Sequence, residues 1–115
     1  MADSLGQGDA AVRLVRDERG LALVGDGMEL RGDFSRMLPR LRQGRLQQEL
    51  LVKAARIKGA EAPTAVDCTA GLGEDSLLLA AAGFAVTLFE RDQTIAALLA
   101  DALERAAADP RLAEA

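Results

Sequence analysis

The segment Val66-Asp67-Cys68-Thr69-Ala70-Gly71-Leu72-Gly73-Glu74-Asp75, with Glu90 closing the next apolar stretch, constrains this chain more than any other part of it. It reads as a buried strand, a glycine turn, a helix and a second strand. A strand–helix–strand unit of this length is the opening of a Rossmann-like parallel sheet. Gly71 and Gly73 carry no Cβ, so backbone there can approach a ligand closely. Glu90 follows Gly71 by 19 residues, about the spacing at which a strand-end carboxylate meets a ribose diol.

The flanking sequence supplies the rest of an α/β pattern. Thr64–Cys68 and Phe84–Phe89 are the two strands, and Ser76–Ala82 is the helix between them, stopped by Gly83. Asp92 or Thr94 can cap a last helix whose apolar stripe is Ile95, Leu98, Leu99, Ala102, Leu103 and Ala106, and Asp109-Pro110 ends it. Upstream, Ala11–Arg16, Leu21–Val24 and Met28–Leu30 are short strands separated by turn formers, an antiparallel meander too small to stand alone. Residues 31–44 read as a basic loop punctuated by Pro39 and Gly44. A helix is expected from Arg45, with Leu46, Leu50, Ala54 and Ile57 as its buried stripe. The expected organisation is a loose tail at 1–10, the meander and basic loop at 11–44, and the first βαβα portion of a cofactor-binding domain at 45–115.

Composition narrows the chemistry. The chain has no His and a single Cys68, so a zinc site or a Ser-His or Cys-His nucleophile is not expected, nor any other metal site. One cysteine also excludes an intramolecular disulfide and fits a reducing, cytoplasmic setting. No signal peptide or membrane-length apolar run is visible. With three Phe and neither Trp nor Tyr, base stacking on aromatic platforms has little to work with. Charge is uneven: residues 31–58 hold eight basic and two acidic residues, a net of +6, against −10 for the remainder. Such a patch suits a phosphate-bearing partner or forms a solvated helix face, and the sequence leaves both open.

The glycine turn distinguishes between ligands. A helix N-terminus favours a pyrophosphate, but here Glu74 and Asp75 open the helix and would repel one. S-adenosylmethionine has no phosphate and carries a sulfonium and an ammonium group, which acidic surroundings suit. Asp67 at the strand end is then the candidate for the methionyl amine, and Glu90 for the ribose hydroxyls. NAD or another adenosine ligand is the alternative, as is a tight turn that binds nothing.

At these residues the chain resembles the class I methyltransferases, and among them the ribosomal RNA small subunit methyltransferase J family. The matching words are Asp67-Cys68-Thr69-Ala70-Gly71-Leu72-Gly73-Glu74-Asp75, Leu88-Phe89-Glu90-Arg91 and Ile95-Ala96-Ala97-Leu98-Leu99, with Gly44-Arg45 and Ile57-Lys58-Gly59 upstream. The resemblance covers roughly residues 20 to 107, and Glu74 stands where many relatives have Arg. It implies an S-adenosylmethionine-dependent enzyme that methylates a guanine N2 amine of small-subunit rRNA. Cofactor contacts would come from Asp67, Ala70, Gly71, Leu72, Gly73, Glu74, Asp75, Glu90 and Arg91.

The Asp/Asn-Pro-x-aromatic motif of amine-directed methyltransferases is not found. Asp109-Pro110-Arg111-Leu112 lacks the aromatic and reads as a helix stop. No catalytic residue is therefore assigned, and the expectation is an N-terminal, cofactor-binding part of a longer enzyme, inactive alone and prone to self-association through uncovered strands. Its partner would be ribosomal RNA, or the small ribosomal subunit, in the complete protein. A non-catalytic interaction module docking through the basic segment is a further reading.

Overall fold

A computed structural model describes residues 12–115; the tail expected at residues 1–10 lies outside them. The meander forms as β1 (Arg13–Asp17), β2 (Gly20–Gly25) and β3 (Met28–Arg31), antiparallel in that order. Asp26 (φ 55°) and Gly27 (φ 74°) make the two-residue β2–β3 turn, the conformation that Asp-Gly favours. Arg31 ties the sheet together from within: its guanidinium donates to both Asp17 carboxylate oxygens at 3.1 Å, to the Gly20 carbonyl at 2.8 Å and to Glu29. Those carboxylates hold the Arg31 pKa above its ordinary value.

The basic stretch departs from the expected loop. Asp33 accepts from the Ser35 N–H at 3.0 Å and starts a 3-10 turn, Phe34–Met37. Two single-turn helices follow, α1 (Leu38–Leu41) and α2 (Gln43–Leu46), so Pro39 begins a helix and Gly44 lies inside one. The single helix expected from Arg45 is also broken, at Gln47–Glu49, before α3 (Leu50–Ala55). Glu49 sits in extended conformation (φ −66°, ψ 130°) and is gripped by Arg40 through two hydrogen bonds of 2.9 and 2.8 Å. This break re-phases the helix. Val52, with Leu51 and Ala55 beside it, turns inward, while Leu50 is 80% exposed and Ile57 61% exposed. Of the expected stripe only Leu46 is buried.

Next, β4 (Thr64–Asp67) and β5 (Ala85–Leu88) pair in parallel with Thr64 opposite Ala85, connected by α4 (Glu74–Ala81). α4 begins a little earlier than expected, directly after the glycine turn. α5 (Gln93–Ala107) is capped by Asp92, which accepts from the Thr94 and Ile95 N–H groups at 2.9 and 3.0 Å. The fold is thus α/β, an antiparallel meander followed by the first parallel strands of a Rossmann-like sheet.

Two apolar clusters hold these elements. Met37, Leu46, Val52 and Leu78 join α2 and α3 to α4. Phe34, Ala70, Leu99, Ala102 and Leu112 join the 3-10 turn, the glycine turn and α5. Leu98, Leu99 and Ala102 are buried as the α5 stripe requires, but Leu103 is 43% exposed because it borders an open apolar groove of about 280 Å³ along β5. The buried polar member of α5, Asp101, was not anticipated. It accepts from the Leu21 N–H at 2.9 Å, Arg105 at 2.9 Å and Arg16 at 3.0 Å, and so fastens the meander to α5. Burial pushes its carboxyl up, but the Leu21 N–H and the two guanidiniums outweigh that and hold its pKa below the ordinary value.

Both strands alternate exposed and half-buried residues. Val86 and Leu88 face the helices; Thr64, Val66, Ala85 and Thr87 face outward, with Val66 at 63% and the following Phe89 at 57% exposure. Among the described residues the two-stranded sheet is covered on one face only, so the strand expected to be buried at Thr64–Cys68 is half exposed, with Val66 and Cys68 on its open side.

Candidate functional site

The residues singled out in the sequence converge on the C-terminal end of β4 and β5, where a Rossmann-like sheet places its ligands. β4 ends at Asp67, whose Oδ1 accepts from the Thr69 N–H at 3.2 Å and whose Oδ2 accepts from the Ser76 hydroxyl at 2.7 Å. The chain then turns through Ala70–Gly73, closed by the Gly73 N–H donating to the Ala70 carbonyl at 2.8 Å. The turn is stitched to β5 by Ala70 N–H to Phe89 carbonyl at 3.0 Å and by Phe89 N–H to Asp67 carbonyl at 2.8 Å.

Gly71 and Gly73 serve different purposes. Both have positive φ, 55° and 83°. A Cβ on Gly73 would lie 2.8 Å from Leu99 Cδ1 and 2.9 Å from Phe34 Cζ, so this glycine lets the turn settle on the core. A Cβ on Gly71 would meet nothing within 4 Å. Its bare backbone faces open space.

Glu90 bears directly on that turn. Its Oε1 accepts from the Gly71 N–H at 2.8 Å and its Oε2 from the Asp92 N–H at 3.0 Å. The strand-end carboxylate and the glycine turn, separate features in the sequence, are one hydrogen-bonded unit. Each oxygen keeps a further lone pair for a hydroxyl donor.

Asp67, Thr69, Ala70, Leu72, Gly73, Glu74 and Asp75 line a hollow of about 350 Å³, within the size range of small-molecule sites. Glu74 and Asp75 stand exposed in the first turn of α4. Among the described residues, none of Asp67, Glu74, Asp75 and Glu90 has a cation within 4 Å. The hollow is acidic, lacks phosphate-neutralising side chains and matches a cationic ligand. Gly71 and Glu90 flank the hollow through the turn without lining it, and Arg91, exposed beyond Glu90, does not line it either.

Ser76, not among the candidates named from the sequence, supports one of them from behind. It is 2% exposed and its hydroxyl donates to Asp67; the available signal is that it is the one hydroxyl side chain in α4, just before the run Leu77–Ala81. Asp109 and Pro110 do not line the hollow. Asp109 pairs with Arg111 at 2.7 Å and Leu112 enters the core, so they form a helix stop.

The family described as "Putative SAM-dependent methyltransferase" matches residues 6–115. The chain belongs to this family. Ribosomal RNA small subunit methyltransferase J of Thioalkalivibrio sulfidiphilus is 47% identical over 107 residues, covering 88% of the chain and 42% of the relative. The protein of the same name from Acinetobacter baylyi is 42% identical over 98 residues, 85% of the chain and 36% of the relative. A crystal structure of a SAM-dependent methyltransferase from Neisseria gonorrhoeae superposes with a TM-score of 0.72 at 28% identity, covering 96% of the chain and 46% of that protein. The chain therefore spans less than half the length of these relatives. Within that span the family membership and the α/β fold agree with the reading of the glycine turn.

Proposed function

We propose that this chain forms the S-adenosylmethionine-binding part of a methyltransferase acting on small-subunit ribosomal RNA. The observation that carries the reading is the Glu90 carboxylate bound to the Gly71 N–H at 2.8 Å beside an acidic hollow. The assignment to rRNA draws on the names of the relatives.

The side chains fit that cofactor by charge and position. Asp67, held by Ser76, would take the methionyl ammonium. Glu90 would accept the ribose hydroxyls through its remaining lone pairs. Ala70, Gly71, Leu72 and Gly73 would line the cofactor with backbone, and the Glu74 and Asp75 carboxylates would favour its positive charge over a phosphate. Arg91, next to Glu90, would lie toward the adenosyl end. When bound, the cofactor supplies a methyl group on a sulfonium, open to in-line attack by an amine. The contribution of these residues is positioning. Cytoplasmic location accords with an rRNA target, and no helix among the described residues is long and apolar enough to cross a membrane.

Calorimetric titration with S-adenosylmethionine, S-adenosylhomocysteine and NAD tests the reading. The first two should bind and NAD should not; the reverse order would overturn it. Glu90→Ala should weaken S-adenosylmethionine binding by about 1.5–3 kcal/mol, the scale of charge-assisted hydrogen bonds.

A further inference from the structure

The structure sorts the eight basic residues of the 31–58 segment into two groups. Arg31 is spent inside the meander, and Arg40 is held by Glu49, the only carboxylate between Phe34 and Lys58. Arg36, Arg42, Arg45, Lys53, Arg56 and Lys58 are exposed, and among the described residues none has a carboxylate within 4 Å. A core ion-pair network does not account for them.

Local geometry gathers these cations. Leu46 of α2 and Val52 of α3 share one cluster with Leu78 of α4, and the Arg56 guanidinium donates to the side chain of Gln47, the residue that ends α2, which draws it back toward the element carrying Arg45. Arg56 and Lys58 border a recess of about 330 Å³ between the end of α3 and Gly83-Phe84. At the other end, Leu41 of α1 packs on the cluster that holds Leu78 of α4, the helix opened by Glu74 and Asp75, and the charges of those two carboxylates reach Arg40 on α1. A chain of net charge −4 thus carries a positive surface along α4, which runs from α1 to a recess beside Pro63 and Gly83-Phe84, at the end of β4 and β5 opposite the acidic hollow.

We propose that the α1–α3 surface, through Arg42, Arg45, Lys53, Arg56 and Lys58, grips the phosphate backbone of RNA and leads a target base toward the Asp67–Asp75 hollow. The proposal rests on the methyltransferase reading for its choice of RNA. Phosphate contacts of this kind fix position and supply affinity without reading sequence. The few aromatics elsewhere are no obstacle, because backbone gripping needs cations rather than stacking platforms.

The test is fluorescence anisotropy with a fluorescein-labelled 20-nucleotide RNA hairpin, titrated with the full chain at several salt concentrations. Arg42→Gln/Arg45→Gln should weaken binding and make the slope of log K against log salt shallower by about 2, roughly one per lost phosphate contact. Arg13→Gln/Arg19→Gln, an equal charge change on the meander, should leave the slope as it was. Equal effects of the two pairs would overturn the proposal, as would tighter binding to phosphatidylglycerol vesicles or polyglutamate than to RNA. S-adenosylmethionine titrations on the same proteins keep the two readings apart. Cofactor binding with an RNA affinity indifferent to Arg42 and Arg45 sinks the surface alone; the predicted RNA behaviour without cofactor binding sinks the cofactor site alone.

Discussion

Gly71 and Gly73 stand two residues apart with similar backbone conformations and opposite surroundings. Alanine at Gly73 must hold a positive φ and push against Leu99 and Phe34. Together these should cost about 2–4 kcal/mol, read as a lower urea midpoint. Alanine at Gly71 meets no protein atom within 4 Å, so its stability cost should stay near the 1–2 kcal/mol expected of the backbone alone, or about half the Gly73 effect. On the proposed reading its larger effect should appear in calorimetric titration with S-adenosylmethionine, since the added methyl would enter the space proposed for the ligand. Equal destabilisation by both substitutions, with cofactor affinity untouched, would refute this division of labour. The sequence identified both glycines but could not tell them apart, because the difference lies in Phe34 and Leu99, which arrive from distant parts of the chain.

At the level of elements, legibility followed locality. The meander, β4, β5 and the capped helix α5 could be read because each is defined by neighbours in sequence: turn residues, alternation, an N-cap at Asp92. The stretch from Arg31 to Ala55 could not. Its breaks depend on Arg40 reaching Glu49 across nine residues, a contact with no periodic signature, and the apolar spacing of Leu46, Leu50, Ala54 and Ile57 mimics one continuous helix. The corrected phase has a direct consequence. Val52→Ala should lower stability by about 2–3 kcal/mol, the loss of two buried methyl groups plus the space they leave. Leu50→Ser, on the exposed side of the same helix, should change it by less than about 0.5 kcal/mol. Chemical denaturation of the two variants separates the observed phase from the one the sequence suggested. The same pattern holds at the candidate site: that Asp67, Gly71, Gly73 and Glu90 come together was legible from a local motif, whereas the Ser76 contact to Asp67 required knowing which side of α4 faces β4.

For the molecule as a whole, Asp101 couples the antiparallel meander to α5. It is faced by Arg16 from β1, the Leu21 N–H from β2 and Arg105 on its own helix, with Arg105 also reaching the Gly32 carbonyl. Because its pKa is lowered in the folded state, the stabilisation is fully present above the unfolded carboxyl value of about 3.9 and is lost as pH falls through the folded one. Acid titration should therefore loosen the meander from α5 below about pH 4, visible as lost amide protection in β2. Asp101→Asn should flatten that dependence and, at neutral pH, lower stability by about 1.5–3 kcal/mol. A Glu90 carboxylate that already spans the Gly71 and Asp92 N–H groups has a thermodynamic consequence of its own. The turn is held by hydrogen bonds within the chain itself, so on the proposed reading S-adenosylmethionine would meet a preorganised loop and forfeit little conformational entropy there.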